Sequence, residues 1–141
     1  IALLCTALRC AWIQRSQCRL ALHRIGNPIG NHNKNGYAQI FKKNVEASGK
    51  VPQISIVVGP SAGGAVYSPA LTDFIFQVQE IGQLYVTGPA VVKTVTGEDV
   101  TFEELGGIEA HGTKSGVSHQ ICESENQAFE EVRYLMSFLP Q

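Results

Sequence analysis

The chain has 141 residues, 44% of them hydrophobic, and a net charge of −1 from 11 basic and 12 acidic side chains. That is the size of one domain, with apolar residues enough for a core. A near-neutral chain without runs of like charge has no long-range attraction to nucleic acid or an anionic membrane, and no apolar run is long enough to span a bilayer.

Residues 1–36 carry basic but no acidic side chains, together with three of the four cysteines, Cys5, Cys10 and Cys18. Residues 25–36 are rich in Gly and Asn and lack periodicity, so the whole of 1–36 reads as loop, linker or mis-translated sequence. The four cysteines, Cys122 included, match no zinc spacing and form no C-x-x-C pair, so no metal site is expected. A reducing compartment is the default for such a set. Residues 1–8 are as apolar as a short signal-peptide core, yet Arg9 and Arg15 stand where small residues would mark cleavage. The missing initiator Met is what a chain beginning inside a larger protein would show.

From Tyr37 onward the local patterns agree with one another. Tyr37, Ile40, Phe41 and Val45 fall on one helical stripe, with Gly49 as its stop. Residues 53–58 form a β-branched run between Pro52 and Gly59 and read as a buried strand. Residues 61–71 are small and read as the start of a closely packed helix. Two further strands are expected at 74–78 and 84–86, with Gly82 turning the chain between them. A short helix follows from Gly88, with Pro89 in its first turn. Thr101 and Glu104 have capping-box spacing, and so do Ser124 and Gln127. Phe129, Val132, Leu135 and Leu139 mark a final amphipathic helix. Strands alternating with helices predict an α/β domain.

The chemistry-bearing stretch is residues 59–73, GPSAGGAVYSPALTD. It lies between a strand and a helix, where the first backbone N–H groups have no intrahelical partner and glycines let a ligand come close. Such a turn holds donors where negative charge develops on an oxygen, and Gly63 and Gly64 are the candidate donors. The same letters serve as a tight packing turn between strand and helix. They also fit G-x-S-x-G, the nucleophile elbow of serine hydrolases, with Ser61 as nucleophile and Asp73 or Asp99 and His111 or His119 as partners.

Beyond these local readings, Gly59, Ala62, Gly63, Gly64 and Asp73 resemble the crotonase-superfamily signature. The blocks 52–55, 59–74, 87–89, 91–93, 97–101, 103–107 and 115–119 together resemble the biotin-dependent carboxyltransferase family, nearly continuously from Tyr37 to Pro140. This family includes the β subunits of propionyl-CoA and acetyl-CoA carboxylases and their decarboxylase relatives. The resemblance implies a crotonase-like (ClpP/crotonase) spiral ββα fold and carboxyl transfer from carboxybiotin to a short acyl-CoA through an oxyanion-stabilised enolate. Gly63 and Gly64 then match the family's oxyanion pair; which carbonyl oxygen they serve stays open. Ser61, Ala62 and Tyr67 line the substrate side, and Ser61 needs no nucleophilic role. His119 reads as a packing or capping residue, Asp73 as a cap or orienting ligand, and Lys93 as a solvated helix lysine.

The resemblance further implies biotin on a separate carrier, a biotin carboxylase partner, other carboxyltransferase subunits in a homo-oligomer, and a cytoplasmic or mitochondrial-matrix location. Upstream of Tyr37 the family block Ser-Gly-Gly-Ala-Arg-Ile-Gln-Glu-Gly is missing, since residues 10–15 keep only its Ile-Gln. Residues 37–141 are therefore expected to be a partial N-terminal-type domain, with no carboxyl transfer from the isolated chain. Three alternatives are a subunit of a biotin-dependent decarboxylase, a serine hydrolase using Ser61, and a non-catalytic remnant.

Overall fold

The computed structural model describes residues 4–5, 10–15, 18–23 and 36–139. At its centre are two parallel strands, which we label with the others in chain order. Strands β1 (Leu4–Cys5), β2 (Cys10–Arg15) and β3 (Cys18–His23) come first, then helix α1 (Gly36–Ala47) and strand β4 (Gln53–Val57). Strand β5 (Pro60–Ala62), helix α2 (Gly64–Ala70), strand β6 (Phe74–Val78) and strand β7 (Gln83–Tyr85) follow. Helices α3 (Pro89–Thr96) and α4 (Phe102–Gly106) lead to a π-helical turn at Glu109–Lys114, strand β8 (Gln120–Cys122) and helix α5 (Glu125–Phe138).

The main sheet runs in the order β1-β2-β3-β4-β6-β8, antiparallel up to β3 and parallel from β3 to β8. A separate two-stranded parallel ribbon pairs β5 with β7. Strand β4 is buried at every position because both faces of the sheet are covered. Ile54, Ile56, Phe76 and Val78 pack on one face against Ala128 and Val132 of α5. Val57 and Ile75 pack on the other against Val66 of α2 and Leu84 of β7. The ribbon and α2 are thereby seated on the sheet, and the candidate site lies on that side.

Most expected elements appear where the periodicity puts them. Three differ. Within 1–36, expected to be loop or linker, the backbone of 18–23 pairs in parallel with β4; ladder partners so distant in sequence leave no local pattern. In α1 it is Asn44 and Ala47 that are buried, whereas Val45 is exposed. Asn44 turns inward because it hydrogen-bonds Gln53 on β4 (Nδ2 to Oε1, 2.9 Å) and receives the Ser68 hydroxyl of α2 (3.0 Å). The helix expected from Ser61 starts only at Gly64, since residues 60–62 extend to pair with β7.

Candidate active site

Strand β5 gives way to α2 at Gly63, whose dihedrals are φ 57° and ψ −127°. Only glycine takes this region at small cost. Among the described residues nothing lies within 4 Å of where a side chain would begin, so toward them the turn presents bare backbone and open space. The Gly63 N–H is already spent: it donates to the carbonyl of Val86 at 3.1 Å. Of the two expected donors, Gly64 is thus the one whose N–H heads the helix, where no intrahelical acceptor exists, and Ala65 shares that position. Gly63 shapes and anchors the turn.

Beside the turn is a cleft of about 480 Å³ lined by Val66, Tyr67 and Ala70 of α2, by residues 84–87, and by Val92, Leu105, His111 and Val117. This is the size and mostly apolar character of a small-molecule site. Tyr67, 47% exposed, stands edge-on to Phe41 with ring centroids 6.0 Å apart. Tyr85 tilts against Phe102 at 5.4 Å, and burial pushes its phenol pKa up, so it stays a neutral hydrogen-bonding group. Ala62 is half-buried and pairs with Tyr85 in the ribbon.

The hydrolase constellation does not assemble. Ser61 is 1% exposed and lies within the ribbon. Nε2 of His111 lies 2.6 Å from the carbonyl of Leu84, and its Nδ1 2.8 Å from Ser115 Oγ. His119 uses Nδ1 to accept the N–H of Ile75 at 3.0 Å. Asp73 accepts the N–H of Gln53 at 2.7 Å, and Asp99 pairs with Lys93 at 2.6 Å on the surface. Each candidate partner is thus engaged away from Ser61. Among the described residues no three His, Cys, Asp or Glu side chains come together as a metal-ligand group, and no helix is long and apolar enough to cross a membrane.

Two residues that matter here were not singled out for these roles from sequence. Gln77 is fully buried on β6 and donates to the carbonyls of Gly82 (2.8 Å) and Gly106 (3.1 Å) while accepting the Ser118 hydroxyl. It ties the β6–β7 turn, the end of α4 and the approach to β8 together behind the cleft. One polar letter in the apolar run FIFQV was the available signal. His111 entered only as a possible triad member, yet it bolts the π-helical turn to β7.

The carboxyl transferase domain family matches residues 10–141. The carboxyltransferase subunit of propionyl-CoA carboxylase from Haloferax mediterranei is 58% identical over 106 residues, 75% of this chain and 20% of that protein. The methylmalonyl-CoA decarboxylase subunit alpha of Veillonella parvula is 57% identical over 105 residues, 74% of this chain and 21% of that protein. A transcarboxylase 12S crystal structure with hydrolysed methylmalonyl-coenzyme A bound superposes with a TM-score of 0.82 at 47% identity, covering 89% of this chain and 25% of that one. The expected crotonase-like α/β architecture is borne out by that superposition. The chain spans about one-fifth of the length of the curated relatives it matches.

Proposed function

Because this chain belongs to the carboxyl transferase domain family, we propose that it forms the acyl-CoA half of a carboxyltransferase site acting between biotin and a short acyl-CoA such as propionyl-CoA. The observation that carries this reading is the Gly63–Gly64 turn. It offers bare backbone and an N–H without an intrahelical acceptor beside an apolar cleft. Those features fit a thioester whose oxygen gains charge as its α-carbon loses a proton. When bound, carboxybiotin supplies the carboxyl group and the base for that proton.

The roles of the chain's own residues follow. The Gly64 N–H donates to the thioester oxygen, with Gly63 holding the turn open through its bond to Val86. Tyr67 and the apolar lining of the cleft keep water from the acyl group, Ala62 joins the ribbon wall, and Ser61 is a buried part of the turn's support. Biotin on a carrier, a biotin carboxylase partner and further carboxyltransferase subunits complete the machine, in the cytoplasm or mitochondrial matrix. The same arrangement serves decarboxylation, since Gly64 stabilises the same enolate from either direction; the similarity to the Veillonella decarboxylase subunit favours keeping this second reading.

Titration of the 15N-labelled chain with propionyl-CoA tests the proposal. The amides of Gly64 and Ala65 are expected to shift with the thioester and not with free CoA. Binding of neither, or shifts confined to α5, would rule it out.

A further inference from the structure

We infer that His111 is a positioning residue for the Gly63–Gly64 turn, acting through the backbone of β7; the inference rests on the reading of that turn as the thioester-oxygen site. His111 sits in the π-helical turn, closed by the Ser115 N–H donating to the Ala110 carbonyl at 2.9 Å. Such turns are rare, and they place a side chain where an α-helix would not. Its Nε2 is 2.6 Å from the carbonyl of Leu84. A carbonyl only accepts, so Nε2 carries the proton, and in the neutral ring Nδ1 accepts from the Ser115 hydroxyl at 2.8 Å.

Leu84 is directly opposite Ser61 in the ribbon. Two residues beyond it, the carbonyl of Val86 holds the Gly63 N–H. Among the described residues the ribbon has two strands, and no third strand pairs with the outer edge of β7. His111 takes that place. On the same stretch Gly106 lies so close that a methyl group there would collide with the Leu84 carbonyl. Imidazole and glycine together set where β7 lies, and β7 sets where Val86 meets Gly63. The imidazole need not touch substrate to act in this way.

Amide exchange in the full 15N-labelled chain tests this. His111→Leu is expected to speed exchange at Gly63 by about tenfold, while Ile54 and Ile56 in the main sheet exchange as before. His111→Gln puts an amide donor where Nε2 stood and is expected to hold Gly63 within about twofold of the parent. The Gly64 shift on adding propionyl-CoA is expected to shrink in His111→Leu and return in His111→Gln. An unchanged Gly63 in His111→Leu overturns the inference, and so does equal acceleration of Gly63, Ile54 and Ile56, which marks general loosening. Should His111→Leu fail to fold, His111→Asn replaces it, its amide being too short to reach Leu84. A parent chain whose Gly64 ignores propionyl-CoA sinks the functional reading alone, because the His111 effect on Gly63 is still read without ligand.

Discussion

The side-chain amide of Gln77, next to last in β6, donates to the carbonyl of Gly106 at 3.1 Å across 29 residues of sequence. With Gly82 and Ser118 as its other partners, this one buried group holds the β6–β7 turn, the end of α4 and the approach to β8 in place. Gln77→Leu leaves two carbonyls and a hydroxyl to find other partners. It is expected to cost about 2–4 kcal/mol in urea unfolding, the penalty for buried polar groups left unpaired. Gln77→Glu sets a carboxylate facing two carbonyls and is expected to cost more at pH 7 than at pH 4, where the acid form can donate once.

Gly63 and Gly106 are both intolerant of a methyl group, for different reasons. At Gly63 the space is open and the obstacle is the backbone angle, so Gly63→Ala is expected to cost about 1–3 kcal/mol in thermal unfolding. It is also expected to abolish the propionyl-CoA shift at Gly64, because the turn relaxes to a conformation an alanine accepts. At Gly106 the angle is ordinary and the obstacle is the Leu84 backbone. Gly106→Ala is therefore expected to displace β7, seen as amide shifts at residues 83–86, with a larger loss of stability than Gly63→Ala.

The cap of α4 predicts a pH dependence. The Thr101 N–H reaches the Glu104 carboxylate at 2.7 Å, and the Thr101 hydroxyl reaches it at 2.8 Å. These bonds, the backbone one first, hold the Glu104 pKa below its ordinary value. A carboxyl with a lower pKa folded than unfolded stabilises the fold above the unfolded value, and that contribution is lost as pH falls through the folded one. Protection of α4 amides is thus expected to be full at neutral pH and to fade under acid, below the ordinary carboxyl range. In Thr101→Ala, which removes the hydroxyl and keeps the backbone N–H, an NMR titration is expected to raise the Glu104 pKa only part of the way back to its ordinary value.

Ser61 separates the carboxyltransferase reading from a hydrolase. A fluorophosphonate is expected to leave the folded chain unlabelled, because the side chain is buried in the ribbon and both His111 and His119 are engaged elsewhere. Ser61→Ala is expected to change stability by less than about 1 kcal/mol and to leave propionyl-CoA binding intact. A Ser61 adduct found by mass spectrometry would reverse the assignment.

Sequence by itself determined the features whose causes are local. The strand at 74–78, the Gly82 turn, the Thr101–Glu104 capping box and the helix with Pro89 in its first turn all follow from neighbours within a few residues. The Gly63–Gly64 turn was readable for the same reason, since a strand, two glycines and a helix start suffice to mark it. Tertiary structure alone decided the rest. Val45 lost its expected place in the core to Asn44, whose partners lie 9 and 24 residues away. Strand β8 exists because β6 lies beside it, with Gln77 opposite Ile121. Gly63 gave up its N–H to Val86, and His111 took the edge of β7 rather than the serine its spacing allowed. In each case a hydrogen-bonding group had several possible partners along the chain, and burial left it one. A buried donor or acceptor must be satisfied by whatever the fold brings near, and which groups come near depends on contacts far apart in sequence.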